Sequence, residues 1–169
     1  MYKIRFKKLK FFFISFFVII FQASLFNILS VAGSIKPDFI LLTLIFFSLY
    51  NGPQTGMACG MAFGILMDSL SGGVLGVNCL SLGAIGFLTG LLKERVYTGH
   101  LLTKMLVPFF AGIMADLFYY FIASNFYRVP FFGHNMFFMF GSLLYTVVCN
   151  VFYFDFLEKN VIVKVTTLT

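Results

Sequence analysis

Apolar residues dominate this chain, and the informative positions are the few that interrupt them. A basic start, Lys3, Arg5, Lys7, Lys8 and Lys10, gives way to an apolar run from Phe11 to Ala32. Further apolar runs follow, separated by polar or turn-forming residues such as Asn51-Gly52-Pro53 and Ser71-Gly72-Gly73. A spanning helix needs about 20 apolar residues. The pattern therefore predicts an all-α membrane protein, a polytopic bundle of six transmembrane helices. The expected spans are 11–32, 35–50, 53–70, 76–92, 101–123 and 136–157, in a single integral membrane domain over residues 1–169. A cleaved signal peptide competes for the first run, because Ser30-Val31-Ala32 offers small residues for cleavage. The run exceeds the usual core of about 7–15 residues and more spans follow it, so a retained signal-anchor is expected.

Leading into and along the third run, Gly52, Gly56, Gly60 and Gly64 recur every four residues and lead to Asp68. That spacing puts them on nearly one helix face. Small residues there let a second backbone approach closely. A carboxylate continuing the stripe belongs in a helix–helix seam, because charge facing lipid is costly. Gly83, Gly86 and Gly90 form a second small-residue face in the fourth run. These seven glycines are the expected helix-packing or partner-docking positions. The second run opens with Pro37-Asp38, suited to the first turn of a helix. It is short for a bilayer, so it is expected to begin in a protein-lined pocket.

Composition sharpens this picture. The chain is 60% hydrophobic with 11% charged residues and a mean hydropathy of +0.98, against about 25% charge in soluble domains. No soluble domain fits beside six spans. The twenty-six Phe residues read as lipid-facing filler.

Charge predicts the orientation. With both termini cytoplasmic, inner segments hold Lys3, Arg5, Lys7, Lys8, Lys10, Lys93, Arg95, Lys104, Lys159 and Lys164, leaving only Lys36 and Arg128 of the 12 basic residues outside. This is the positive-inside bias. It accounts for the net charge of +6, so nucleic-acid binding is not needed to explain it. Inner basic segments also suit contact with anionic membrane lipids.

In that orientation Asp38, Asp68 and Asp116 share roughly one depth on the outer side. A binding or proton-linked site is one reading of the trio. The other is structural, with acids capping helices or accepting from loop amides; Asp38 and Asp68 suit that better than Asp116, which lies deeper. Asn78 joins them as a polar structural or binding candidate. Asp155 stands one turn before Lys159 and reads as a surface pair.

Catalytic chemistry finds little support. His100 and His134 fall on opposite sides. Cys59, Cys79 and Cys149 lack metal-ligand spacing and read as small hydrophobes. Phosphate-binding loops and zinc-protease signatures are absent, as is the Gly-x-Gly-Asp of intramembrane aspartyl proteases. The residues call for no cofactor, and the expectation is a non-enzymatic protein.

A family resemblance rests on the middle of the chain. The run Lys36-Pro37-Asp38-Phe39-Ile40-Leu41-Leu42, then Asn51-Gly52-Pro53-Gln54-Thr55-Gly56, then Gly60 through Asp68-Ser69-Leu70-Ser71-Gly72-Gly73 to Gly76-Val77-Asn78, resembles the rod shape-determining protein MreD family. The specific part covers about residues 36–95; the first, fifth and sixth spans match in hydropathy and placement. The resemblance implies a multi-pass protein of the bacterial inner membrane that works with MreC, a bitopic partner. It implies a link between cytoplasmic MreB filaments and the peptidoglycan elongation synthases. It also implies a topology like the substrate-binding subunits of energy-coupling-factor transporters. The competing function is a vitamin-type solute-binding membrane subunit of a transporter, which glycine faces and outer acids also fit.

Overall fold

The computed structural model describes residues 3–6, 14–18, 20, 22, 37–71, 75–94, 101–127 and 135–165. Lys36, Arg95, His100, Arg128, His134 and the Gly72-Gly73 turn lie outside these residues, as does most of the expected first span. The chain is helical at residues 14–18, 20 and 22 (α1). It continues through α2 (Phe39–Asn51), α3 (Pro53–Ser71), α4 (Val77–Leu91) with a 3-10 turn at Leu92–Glu94, α5 (Leu101–Tyr127) and α6 (Asn135–Val161).

The helical body carries one addition that the apolar pattern does not predict. Strand β1 (Lys3–Phe6) pairs antiparallel with β2 (Ile162–Val165), Lys3 opposite Val165 and Phe6 opposite Ile162. The fold is thus not strictly all-α. Four-residue segments show too little periodicity to announce a strand, and only their meeting supplies the ladder bonds.

Helix α2 forms the centre. Its 13 residues rise only about 20 Å, short of a hydrocarbon layer of about 30 Å. Leu42, Leu44, Ile45, Phe46 and Ser48 are fully buried, so the helix meets protein on every side and not lipid. Phe46 stacks edge-on against the buried Phe154 of α6, ring centres 4.9 Å apart. These two Phe residues are core, which corrects the expectation that phenylalanines serve as lipid-facing filler. The outer helices carry that role at Phe110, Phe121 and Phe152, which are 61%, 65% and 79% exposed.

Among the described residues one helical stretch, Leu102–Ile122 in α5, is long and apolar enough by itself to cross a membrane. α2 and α4 are apolar but short, and α3 is diluted by its glycines, Gln54 and Asp68. The outer helices carry apolar residues on their exposed faces as well as their buried ones. On α6 the exposed stripe is Leu144, Val148, Phe152 and Phe156, a four-residue repeat.

Candidate functional site

The candidate residues resolve into a glycine seam and three polar junctions, and each junction closes a helix end or a helix break.

The seam joins α3 to α4. A Cβ on Gly60 would lie 2.7 Å from the Leu82 carbonyl carbon, and one on Gly86 would lie 2.7 Å from that of Gly56. One on Gly64 would strike the backbone of Asn78 and Cys79. One on Gly90 would come within 2.7 Å of the Gly52 carbonyl carbon. These are backbone atoms, so nothing rotates away. Gly56 also faces the Ser48 side chain of α2, which seats the central helix in the same seam.

Two of the seven expected glycines behave differently. Gly83 faces the Met61 side chain, a flexible neighbour. Gly52 is not on the α3 stripe, since it precedes the helix as the C-cap of α2, with φ +101°. Its N–H donates to the Ser48 carbonyl at 2.8 Å, and its own carbonyl accepts from Gly56 N at 2.9 Å. One residue therefore ends α2 and starts α3, with Pro53 in the first-turn position it favours. A side chain at that φ is strained.

The first junction closes α4. Asp68, 2% exposed, reaches from the last turns of α3 to the start of α4. Its Oδ2 accepts from Gly76 N at 2.8 Å and Cys79 N at 3.3 Å; its Oδ1 accepts from Asn78 N at 3.1 Å and Asn78 Nδ2 at 2.8 Å. The residue at the N-cap, Gly76, has no side chain to cap with and adopts a left-handed φ of +110°. Asp68 supplies that cap from the neighbouring helix. Its charge also faces the positive end of the α4 dipole.

The second junction closes α2. Asp38 Oδ1 accepts from Leu41 N at 2.9 Å, and Gln22 of α1 donates to the same oxygen at 3.3 Å. Gln22 Oε1 accepts from Ile40 N at 3.1 Å, and Asp38 N donates to Thr146 Oγ1 of α6 at 3.0 Å. One turn further, Thr43 donates to the Phe39 carbonyl at 2.7 Å, so Tyr153 of α6 must donate its hydroxyl proton to Thr43, also at 2.7 Å. Gln22, Thr146 and Tyr153 are hydrogen-bonding partners of α2 that sequence reasoning misses, because a lone Gln, Thr or Tyr in an apolar run carries no spacing signal.

The trio of acids therefore divides. Asp68 is taken up by α4. Asp116 of α5 stands apart, since among the described residues no hydrogen bond reaches its carboxylate.

The third junction lies between α5 and α6. Pro108 inside α5 has no N–H, which orphans the carbonyl four residues earlier, that of Lys104. The fully buried Asn150 of α6 donates its Nδ2 to this carbonyl. Lys104 itself, 8% exposed, pairs with Asp155 and lies 3.7 Å from Glu158 and 5.6 Å from the Phe154 ring centre. Asp155 thus binds α5 to α6 and is not a surface partner of Lys159. A local i, i+4 pair is worth only about 0.3–0.5 kcal/mol, so a lysine delivered by another helix readily displaces it. Groups of three or more His, Cys, Asp or Glu able to hold a metal are absent among the described residues.

The comparison with protein families decides what this architecture belongs to. The family model described as rod shape-determining protein MreD matches residues 4–159. The chain belongs to the MreD family. It is thereby a member of a membrane protein family with a role in rod-shape determination, one defined by shape and not by catalysis. No curated protein and no solved structure gives a significant match, so the expected likeness to energy-coupling-factor subunits finds no support. The segment that carries the resemblance is the part of this MreD-family chain in which Asp38, the glycine seam, Asp68 and Asn78 lie.

Proposed function

We propose that this chain is a scaffold of the cell-elongation machinery in the bacterial inner membrane. It supports rod shape and peptidoglycan synthesis by binding an MreC-like bitopic partner through its spanning helices, and reaches MreB-like filaments and elongation synthases directly or through that partner. The observation that carries this reading is the family match over residues 4–159. The geometry is in keeping with it. Gly56, Gly60, Gly64, Gly86 and Gly90 are consumed by packing within the chain, so partner contacts fall on the apolar outer stripes, such as Leu144, Val148, Phe152 and Phe156 on α6.

Both termini are cytoplasmic in this proposal. The distribution of Lys and Arg favours it. Pairing of β1 with β2 sets the two ends of the chain side by side, and an even number of crossings, six, satisfies that pairing.

Depletion in the source bacterium should turn rods into rounded cells, and pull-down of the tagged protein should recover an MreC-like partner. Replacing Phe152 and Val148 by lysine should weaken that recovery. Normal shape without such a partner, with a small solute retained by the purified protein, would transfer the case to the solute-binding reading. Labelling of a C-terminal cysteine from outside intact cells would overturn the orientation alone.

A further inference from the structure

We infer that the cleft between α4 and α5 binds the acyl chain of an inner-leaflet phospholipid. The cleft has a volume of about 230 Å³ and is lined by Ile85, Leu88 and Leu92 on one side and by Val107, Ala111 and Met114 on the other. Leu106 and Phe110, 50% and 61% exposed, stand at its rim, so it opens on the surface that faces lipid. Its single hydroxyl, that of Thr89, donates to the Ile85 carbonyl of its own helix at 2.7 Å. The walls thus offer no directional polar contact, and recognition rests on shape and apolar burial.

Length selects the occupant. Ile85 to Leu92 spans about 10 Å of helix, and Leu106 to Met114 about 12 Å. A partner's spanning helix would run about 30 Å and would leave most of its face outside such a cleft. A flexible hydrocarbon tail fits two turns and tolerates the uneven floor. A cation stands one residue beyond the cleft wall. Lys93 follows Leu92 directly, is exposed and rests its side chain beside Gly52, from where its flexible stem can turn to a lipid phosphate at that end. The leaflet assignment rests on the inward orientation proposed above; the occupant of the cleft does not.

The test uses the full chain in nanodiscs containing a phosphatidylglycerol with a photoactivatable diazirine on its acyl chain. Crosslinks should concentrate on peptides holding Leu106, Phe110 and Met114, and Ala111→Phe, which fills the cleft floor, should reduce them at least fivefold. Leu66→Phe, on the exposed face of α3, should leave them unchanged. If Ala111→Phe does not yield folded protein, Leu88→Trp at the rim is the second blocking variant, with the same expected loss. Crosslinks spread evenly over α5 and α6, or unchanged in the blocked variants, overturn the proposal. So does recovery of a polyprenyl carrier or a second protein chain, and no phospholipid, at the cleft. An inverted topology would move the headgroup to the other leaflet and leave the crosslink map intact, so the two ideas fail separately.

Discussion

The α3–α4 pair and the α5–α6 pair solve one problem by different means. Both bring two helices together where lipid gives little hydrophobic reward for doing so. In α3–α4 the side chains are removed: Gly56, Gly60, Gly64, Gly86 and Gly90 let backbone lie on backbone, and Asp68 ties the two helices at the turn. In α5–α6 the side chains remain and polar groups bind across. Asn150 answers the carbonyl freed by Pro108, Lys104 pairs with Asp155, and the nearest neighbours of Gly112 are the Leu143 and Leu41 side chains. The first pair should therefore fail through added volume and the second through lost hydrogen bonds.

The largest expected effect tests the volume side. Gly60→Leu should abolish monodisperse protein, because a side chain there meets the Leu82 backbone. Gly60→Ala should cost about 1–3 kcal/mol, the usual range for overpacking, while Gly83→Ala should cost less, since it meets the Met61 side chain and not a backbone. Thermal unfolding in detergent, followed by size-exclusion recovery, reads all three. Equal tolerance at positions 60 and 83 would erase the distinction between the pairs.

Next comes the cap that α4 borrows. Asp68→Ala removes four hydrogen bonds and should cost about 1–3 kcal/mol. Asp68→Asn, an acceptor without the charge, should fall between this variant and the wild type. Hydrogen exchange at Gly76, Asn78 and Cys79 should rise in the Ala variant while the middle of α3 stays protected. Uniform exchange along α3 would mean that Asp68 holds the seam and not merely the helix end.

The smallest effect is also the most diagnostic for α5–α6. Asn150→Leu leaves the Lys104 carbonyl without a partner and should cost about 1–2 kcal/mol. In a Pro108→Ala background the substituted alanine has an N–H to offer that carbonyl, so most of the cost should vanish. Additive effects in this double-mutant cycle would show that Asn150 acts elsewhere.

Legibility of these features follows the range of the interaction. The α3 stripe can be read because a four-residue repeat is a property of one helix. Gly52 falls on that stripe by spacing alone, because spacing cannot tell a glycine inside a helix from one that ends the preceding helix; only the +101° φ does. Asp68 with Gly76 and Asn78 is visible as a group, since all three lie within eleven residues, but the sequence leaves open whether the acid caps a helix or binds a ligand. Lys104–Asp155 and Gln22–Asp38 are invisible because their partners are 51 and 16 residues apart and carry no shared period.

The sequence by itself determined the apolar helical character of the chain, the places where small residues allow close approach, the basic bias on which the proposed orientation rests and the pattern that ties it to its family. These depend on local composition and on the period of a single helix. Tertiary structure alone decided that α2 is the buried centre, that Asp38 and Asp68 serve different helix ends, that Asn150 repairs the break at Pro108, and that the two ends of the chain pair as strands. Each of those depends on which groups from distant segments meet in space, and a buried polar group or an unpaired strand edge takes whichever partner the fold brings within hydrogen-bond reach.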